Sequence, residues 1–149
     1  AGLSLDYTFD VAMQGVLGIG QDITKWNERE TATAKRKIAE YKEVRDLVQR
    51  GVADRLRSPF EGNRSAVQYT DAGASRSVVF CYNLGETMEG STEQMRESQM
   101  LRLRSLDPEK NYRINNDAAT YTGDYLMKIG IRWPVQGAYK SAVIRITRL

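Results

Sequence analysis

The sequence contains no histidine and a single cysteine, Cys81. Without histidine there is no Ser-His or Cys-His nucleophile pair, and the commonest metal ligand is missing. Zinc and iron centres are therefore not expected, and no cofactor is expected either. One cysteine cannot form an intrachain disulfide. Cys81 falls in the apolar run "SVVFCYNL" and reads as a small buried hydrophobe. No run approaches 18 apolar residues, so no membrane-spanning helix is expected. The opening "AGLSLDYTFD" has neither a basic region nor an apolar signal core. These two absences together predict a cytoplasmic location. Charge of one sign is also scarce: 22 Lys and Arg face 19 Asp and Glu, for a net charge of +3. Such mixing describes a solvated surface rather than a nucleic-acid stripe. Internal repeats and low-complexity tracts are missing too.

What is present is a 149-residue chain, 41% hydrophobic and 28% charged, the balance of a folded globular protein. It opens on Ala1 instead of methionine, as a processed end or a cut within a longer chain would. Residues 5–19 read as extended. "LDYTFDVAM" alternates Leu5, Tyr7, Phe9 and Val11 onto one face, and "GVLGI" continues as a buried run.

A helix then starts at Asn27, with Glu30 three residues on as a capping box and Glu28 in the first turn. Ala34, Ile38, Tyr41, Val44, Leu47 and Val48 recur at three- and four-residue steps and predict one buried stripe. Gly51 is the stop signal. From there the chain turns to short β-type runs: "VADRLRSP", "SAVQYT", "SRSVVFCYNL", "QMLRLRSL", "NYRIN", "DYLMKIGIRWPV" and "SAVIRITRL". Turn signals such as "SPFEGN" and "LDPEK" separate them. The pattern predicts an antiparallel sandwich or Greek-key sheet over residues 51–149, with a core of its own. The acidic stretch "GETMEGSTEQMRES" reads as an exposed loop.

Several motifs suggest chemistry, and each also has a plainer explanation. Gly15, Gly18 and Gly20 stand as G-x-x-G-x-G, neither a dinucleotide fingerprint nor a phosphate loop. The helix also begins too late to hold a phosphate there. They read as a sharp turn with close packing. Asp6, Asp10 and Asp22 lie near the ends of the extended region, and Asp22 follows the glycines. Asp22 could serve an acid–base role at a strand end, but it also fits a turn cap. Trp26 precedes the helix N-cap, where apolar residues staple helix starts. Trp133, before Pro134, reads as core. Either tryptophan could alternatively stack on a sugar.

Taken in order, "LGIGQDITKWNERE", "YKEVRDLVQRG" and "LRSPFEGNRSAVQY" resemble the C-terminal part of glycoside hydrolase family 36, the melibiase-type α-galactosidases. "LRSLDPEKNYRIN", "YTGDYLMKIGIRWPV" and "GAYKSAVIRI" extend the resemblance across nearly the whole chain. It implies an α+β fragment: residues 1–50 as the last strand and long closing helix of a (β/α)8 barrel, and residues 51–149 as the antiparallel β domain. It also explains the three glycines as the turn from barrel strand to helix. The implied activity is retaining hydrolysis of terminal α-galactosides by two aspartates, about 5–5.5 Å apart in retaining enzymes. Neither maps here. "TKWNER" mimics the nucleophile motif, but Asn27 stands where aspartate is needed and an amide cannot replace it. Both catalytic aspartates are thus expected before residue 1, and no catalytic residue is assigned to this chain. The implied partners are the remainder of the barrel, α-galactoside substrates for the parent enzyme, and further copies in a homo-oligomer; no nucleic acid or membrane is expected. The competing reading is a stand-alone β-sandwich module that binds a carbohydrate or a protein without catalysis.

Overall fold

The computed structural model describes residues 2–85 and 99–149. The acidic stretch expected to form an exposed loop falls almost wholly on 86–98, outside the described residues.

Two helices come first, α1 (Leu5–Ala12) and α2 (Glu28–Arg50), joined by a loop with one 3-10 turn at Ile23–Lys25. Strands β1 (Val52–Arg57), β2 (Arg64–Thr70) and β3 (Arg76–Asn83) follow as a meander. Then come β4 (Met100–Leu101), β5 (Asn111–Ile114), β6 (Thr120–Thr122), helix α3 (Gly123–Lys128), β7 (Ile131–Arg132) and β8 (Ser141–Arg148). Six strands form one antiparallel sheet in the order β1-β2-β3-β8-β5-β6, and β4 pairs with β7 alone.

Residues 5–12 are a helix, not the expected strand. Ser4 caps it by accepting from the Tyr7 amide at 3.3 Å, and Asp6 sits in the first turn, where the helix dipole favours an anion. Tyr7, Asp10 and Met13, three residues apart, are all buried, whereas Val11 of the alternating set is half exposed. The helical period prevails because Asp10 has a buried partner on α2, described below. The glycines differ from expectation as well. A Cβ on Gly18 or Gly20 would meet nothing within 4 Å, and one on Gly15 only the Ala12 carbonyl at 3.9 Å. Among the described residues, no close packing requires them.

Helix α2 forms as the sequence predicts. Asn27 Oδ1 accepts from the Glu30 amide and Glu30 Oε2 from the Asn27 amide, both at 2.9 Å. Replacing Asn27 by alanine should cost about 1 kcal/mol, the usual worth of such a cap; urea melts of the two proteins would measure it. At the other end, a Cβ on Gly51 would lie 2.5 Å from the Leu47 carbonyl oxygen and 2.8 Å from that of Thr70. Gly51 is thus required by the tight passage from helix to sheet. Its φ of −76° means that no left-handed turn is involved.

The sheet is buried on both faces at its centre, where β3 runs apolar without alternation. Val78, Phe80 and Tyr82 point to the helices and pack with Tyr7, Met13, Tyr41, Val44 and Leu47. Val79 and Cys81 point the other way, into a cluster with Leu101, Leu103, Tyr112, Leu126, Trp133 and Ile146. The expectation that residues 51–149 carry their own core therefore holds for one face; residues 5–50 complete the other. The layer opposite the helices is not a full second sheet. Its ladder is two residues long, and "DYLMK", read as strand, is helix α3, capped by Thr122 accepting from the Tyr125 amide at 3.1 Å. Gly130, at φ +90°, ends it. A Cβ there would fall 2.1 Å from the Leu101 carbonyl oxygen, so only glycine lets β7 reach β4.

Candidate functional site

A buried polar cluster joins α1, α2 and β8. Lys37 Nζ lies 2.5 Å from Asp10 Oδ1 and 3.2 Å from Glu40 Oε2, and the Lys37 and Asp10 side chains are 6% and 3% exposed. Ser141 Oγ donates to the second Asp10 oxygen at 2.6 Å, and the Tyr82 hydroxyl donates to the Asp10 carbonyl at 2.7 Å. Gln14 extends the chain of bonds by donating to the Tyr82 oxygen at 2.6 Å and accepting from Tyr69 at 3.2 Å. Burial holds the Tyr82 phenol far above the ordinary tyrosine range, so it stays a donor. Each charge is paired and shielded from water. That is the arrangement of a structural lock between helices and sheet.

A second cluster stands at the same end of the sheet, on its other face. The guanidinium carbons of Arg57 and Arg64 lie 5.0 and 5.2 Å from the Trp133 ring centroid. Trp133 Nε1 donates to Asn83 Oδ1 at 2.9 Å, and Asn83 Nδ2 donates to the Gly137 carbonyl at 2.8 Å. Burial, followed by the neighbouring Arg64 charge, draws the Arg57 pKa down. Trp133 is thus the core residue that the sequence predicted, 6% exposed, with its ring and its N–H both in use.

Among the described residues, open grooves are also present. One, of about 340 Å³, is lined by Glu43, Arg76, Asn115 and Arg145 among others. Its charges are spent on each other: Arg145 reaches Glu43 at 2.5 Å, and Arg76 reaches Asp46 at 3.0 Å and the Glu43 carbonyl at 2.7 Å. Another, of about 640 Å³, lies between the sheet and the small layer, beside the stacked rings of Tyr121 and Tyr125. Among the described residues, the only carboxylate lining the first is Glu43 and the second Asp117. Glycoside hydrolysis by the usual route needs two carboxylates facing each other, and neither groove has them.

The remaining candidate residues are dispersed. Asp6 is exposed and ion-paired with Arg36. Asp22 caps the 3-10 turn, bonding the Thr24 amide at 3.1 Å and its hydroxyl at 2.6 Å; these bonds lower its pKa. Asn27 is the N-cap of α2, and Trp26, half-buried, closes the 3-10 turn before it. Cys81 is fully buried, and burial pushes its thiol up to about 12. No helix among the described residues is long and apolar enough to cross a membrane. Lys37 was not singled out from the sequence. Lys37 sits three residues after Ala34 and four before Tyr41, on the buried stripe itself, and that position was the available signal.

The chain has close counterparts among known proteins. The family model for the glycosyl hydrolase family 36 C-terminal domain matches residues 64–146. Alpha-galactosidase AgaA of Geobacillus stearothermophilus is 38% identical over 128 residues, which is 86% of this chain and 17% of that protein. Alpha-galactosidase 1 of Pediococcus pentosaceus is 30% identical over 125 residues, covering 84% of this chain and 16% of its own. Among solved structures, the GH36 alpha-galactosidase AgaB of Geobacillus stearothermophilus superposes with a TM-score of 0.86 at 36% identity, over 100% of this chain and 20% of that one. A variant of AgaA in complex with raffinose gives 0.86 at 34% over the same shares. The chain thus spans a fifth or less of the length of these relatives.

Proposed function

Because the chain belongs to the family of glycosyl hydrolase family 36 C-terminal domains, we propose that it is the C-terminal portion of a retaining α-galactosidase whose two catalytic aspartates precede residue 1. The parent enzyme hydrolyses terminal α-linked galactose from oligosaccharides of the raffinose type. The chain's own task is structural. Residues 1–50 join the domain to a (β/α)8 catalytic barrel, with α2 as its closing helix, and residues 51–149 form the β domain.

The observation that carries this reading is the kind of relatives the chain has: those that align over more than four fifths of it are named α-galactosidases. The surface supports it. Val16, Ile19 and Ile23, in the loop between α1 and α2, are 87%, 43% and 58% exposed. Apolar side chains grouped this way mark a surface that another protein segment covers. The glycines interleaved with them, open on this chain's side, leave room for that segment to approach. The lock at Asp10 and Lys37 then fixes the loop-bearing helices to the sheet, so that barrel and β domain keep one orientation.

The test is to follow raffinose cleavage by NMR, using the polypeptide that carries this chain together with the segment preceding it. The expected first product is galactose as its α anomer, because two displacements at one carbon restore the configuration. Release of the β anomer would contradict the retaining mechanism, and no release would contradict the proposed activity.

A further inference from the structure

The turn between β1 and β2 carries the most exposed large hydrophobic side chain among the described residues, Phe60, at 91%. Single exposed hydrophobic residues are common and require no explanation. This one differs in how it is held and in what surrounds it.

The turn "SPFEGN" is tied at each level. Pro59 fixes the backbone beside Phe60. The Phe60 amide donates to Ser58 Oγ at 3.3 Å, and the Glu61 amide to the Ser58 carbonyl at 3.2 Å. The Leu84 amide donates to the Asn63 carbonyl at 2.7 Å and binds the turn to the end of β3. The residues flanking the turn, Arg57 and Arg64, are the two that stack over Trp133, whose N–H is anchored on Asn83. A buried tryptophan thus grips both legs of the hairpin just below its tip. Such fixing limits the ordering cost when the tip meets a partner.

The surroundings point the same way. Arg64 pairs with Asn83 and Ser141 with Tyr82, so the tip projects from the sheet end where β3 finishes and β8 begins. Asp10, bonded to Ser141, places α1 at that same end. Leu3, one residue before the α1 cap, is 57% exposed, and Tyr139, just before β8, is 52% exposed. Both thus stand exposed at the sheet end where the chain preceding residue 1 would arrive.

We propose that the Ser58–Asn63 turn is a preformed docking knob, with Phe60 as its anchor, that seats in an apolar pocket of the catalytic segment preceding this domain. The proposal rests on the reading of the chain as the C-terminal part of a longer polypeptide, and it adds a second point of attachment, remote in sequence from the loop between α1 and α2. In the relatives, four fifths or more of the polypeptide lies outside the matched region, which is ample to supply the pocket.

Phe60→Cys tests it in two proteins, the 149-residue chain and the polypeptide with its preceding segment. Maleimide labelling is followed on the tryptic peptide 58–64, which contains no other cysteine; Cys81 is buried and lies outside it. The expected result is labelling about tenfold slower or more in the longer polypeptide, in line with a thiol taken out of solvent. Equal rates would overturn the proposal. So would protection in the 149-residue chain alone that grows with its concentration, since the occupant would then be a second copy. Phe60→Ser gives an independent readout: it should lower the melting temperature of the longer polypeptide and leave that of the 149-residue chain unchanged, and no change in either would also overturn the knob. Raffinose cleavage, measured on the same samples, separates the two readings. Slow labelling without cleavage supports the knob and removes the α-galactosidase assignment, whereas cleavage with equal labelling rates removes the knob alone.

Discussion

A chain beginning at Gly51 is expected to lose its cooperative fold. The helices cover one face of β2, β3 and β8 at the centre of the sheet. Without them Val78, Phe80 and Tyr82, now at 0%, 0% and 4% exposure, would stand in water together with the inner parts of Tyr69 and Val143. Each large apolar side chain gains roughly 1.5–3 kcal/mol from burial. The loss over the first three alone approaches the entire stability of an ordinary domain, about 5–15 kcal/mol. The open face would also recruit other molecules. Circular-dichroism melts and size-exclusion chromatography of residues 51–149 beside the full 149 residues would measure this. The expected outcome is a broad or missing transition and aggregation in the shorter chain. A sharp transition within a few degrees of the full chain's would mean that the cluster opposite the helices suffices.

Breaking the buried ion pair is expected to have the next largest effect. Lys37→Met leaves the Asp10 carboxylate with Ser141 as its remaining side-chain partner, and Asp10→Leu leaves the Lys37 ammonium with Glu40. Stranding one charge of a buried pair costs about 3–5 kcal/mol, whereas replacing both partners by apolar groups of similar volume is often neutral. Each single variant should therefore be strongly destabilised in urea, and the double variant should recover most of the loss. The recovered part measures the coupling between the two sites. Single costs below about 1 kcal/mol would show that the pair behaves as an exposed one.

The parts of the fold legible in the sequence are those decided locally. The Asn27–Glu30 capping box, the α2 stripe and the Gly51 stop are written within one helix, and all are present. Strands β2, β3 and β8 were legible from their β-branched and aromatic runs. The helix α1 was not, because "LDYTFDVAM" satisfies two periods at once. Counting Leu5, Tyr7, Phe9 and Val11 gives a strand, while counting Tyr7, Asp10 and Met13 gives a helix, and the second count needs an aspartate to be a core residue. Lys37, 27 residues away, and Ser141, 131 residues away, make it one. "DYLMKIGIR" failed for a related reason: its composition suits a strand, but the Thr122 cap and Gly130 at φ +90° decide the backbone. As for a site, the sequence withholds a catalytic role from Asn27 on chemistry alone. It gave no hint of the Trp133 clamp, since Arg57, Arg64 and Asn83 converge only when three strands are paired.

The central claim is that this chain supports an α-galactosidase without supplying its chemistry. The most direct test is turnover of an aryl α-galactoside by the purified 149-residue chain, by the polypeptide with its preceding segment, and by that polypeptide carrying Asp22→Asn. The account predicts no rate above buffer for the chain alone and equal kcat for the two longer proteins. Turnover by the 149-residue chain that survives repurification and disappears with Asp22→Asn would contradict it.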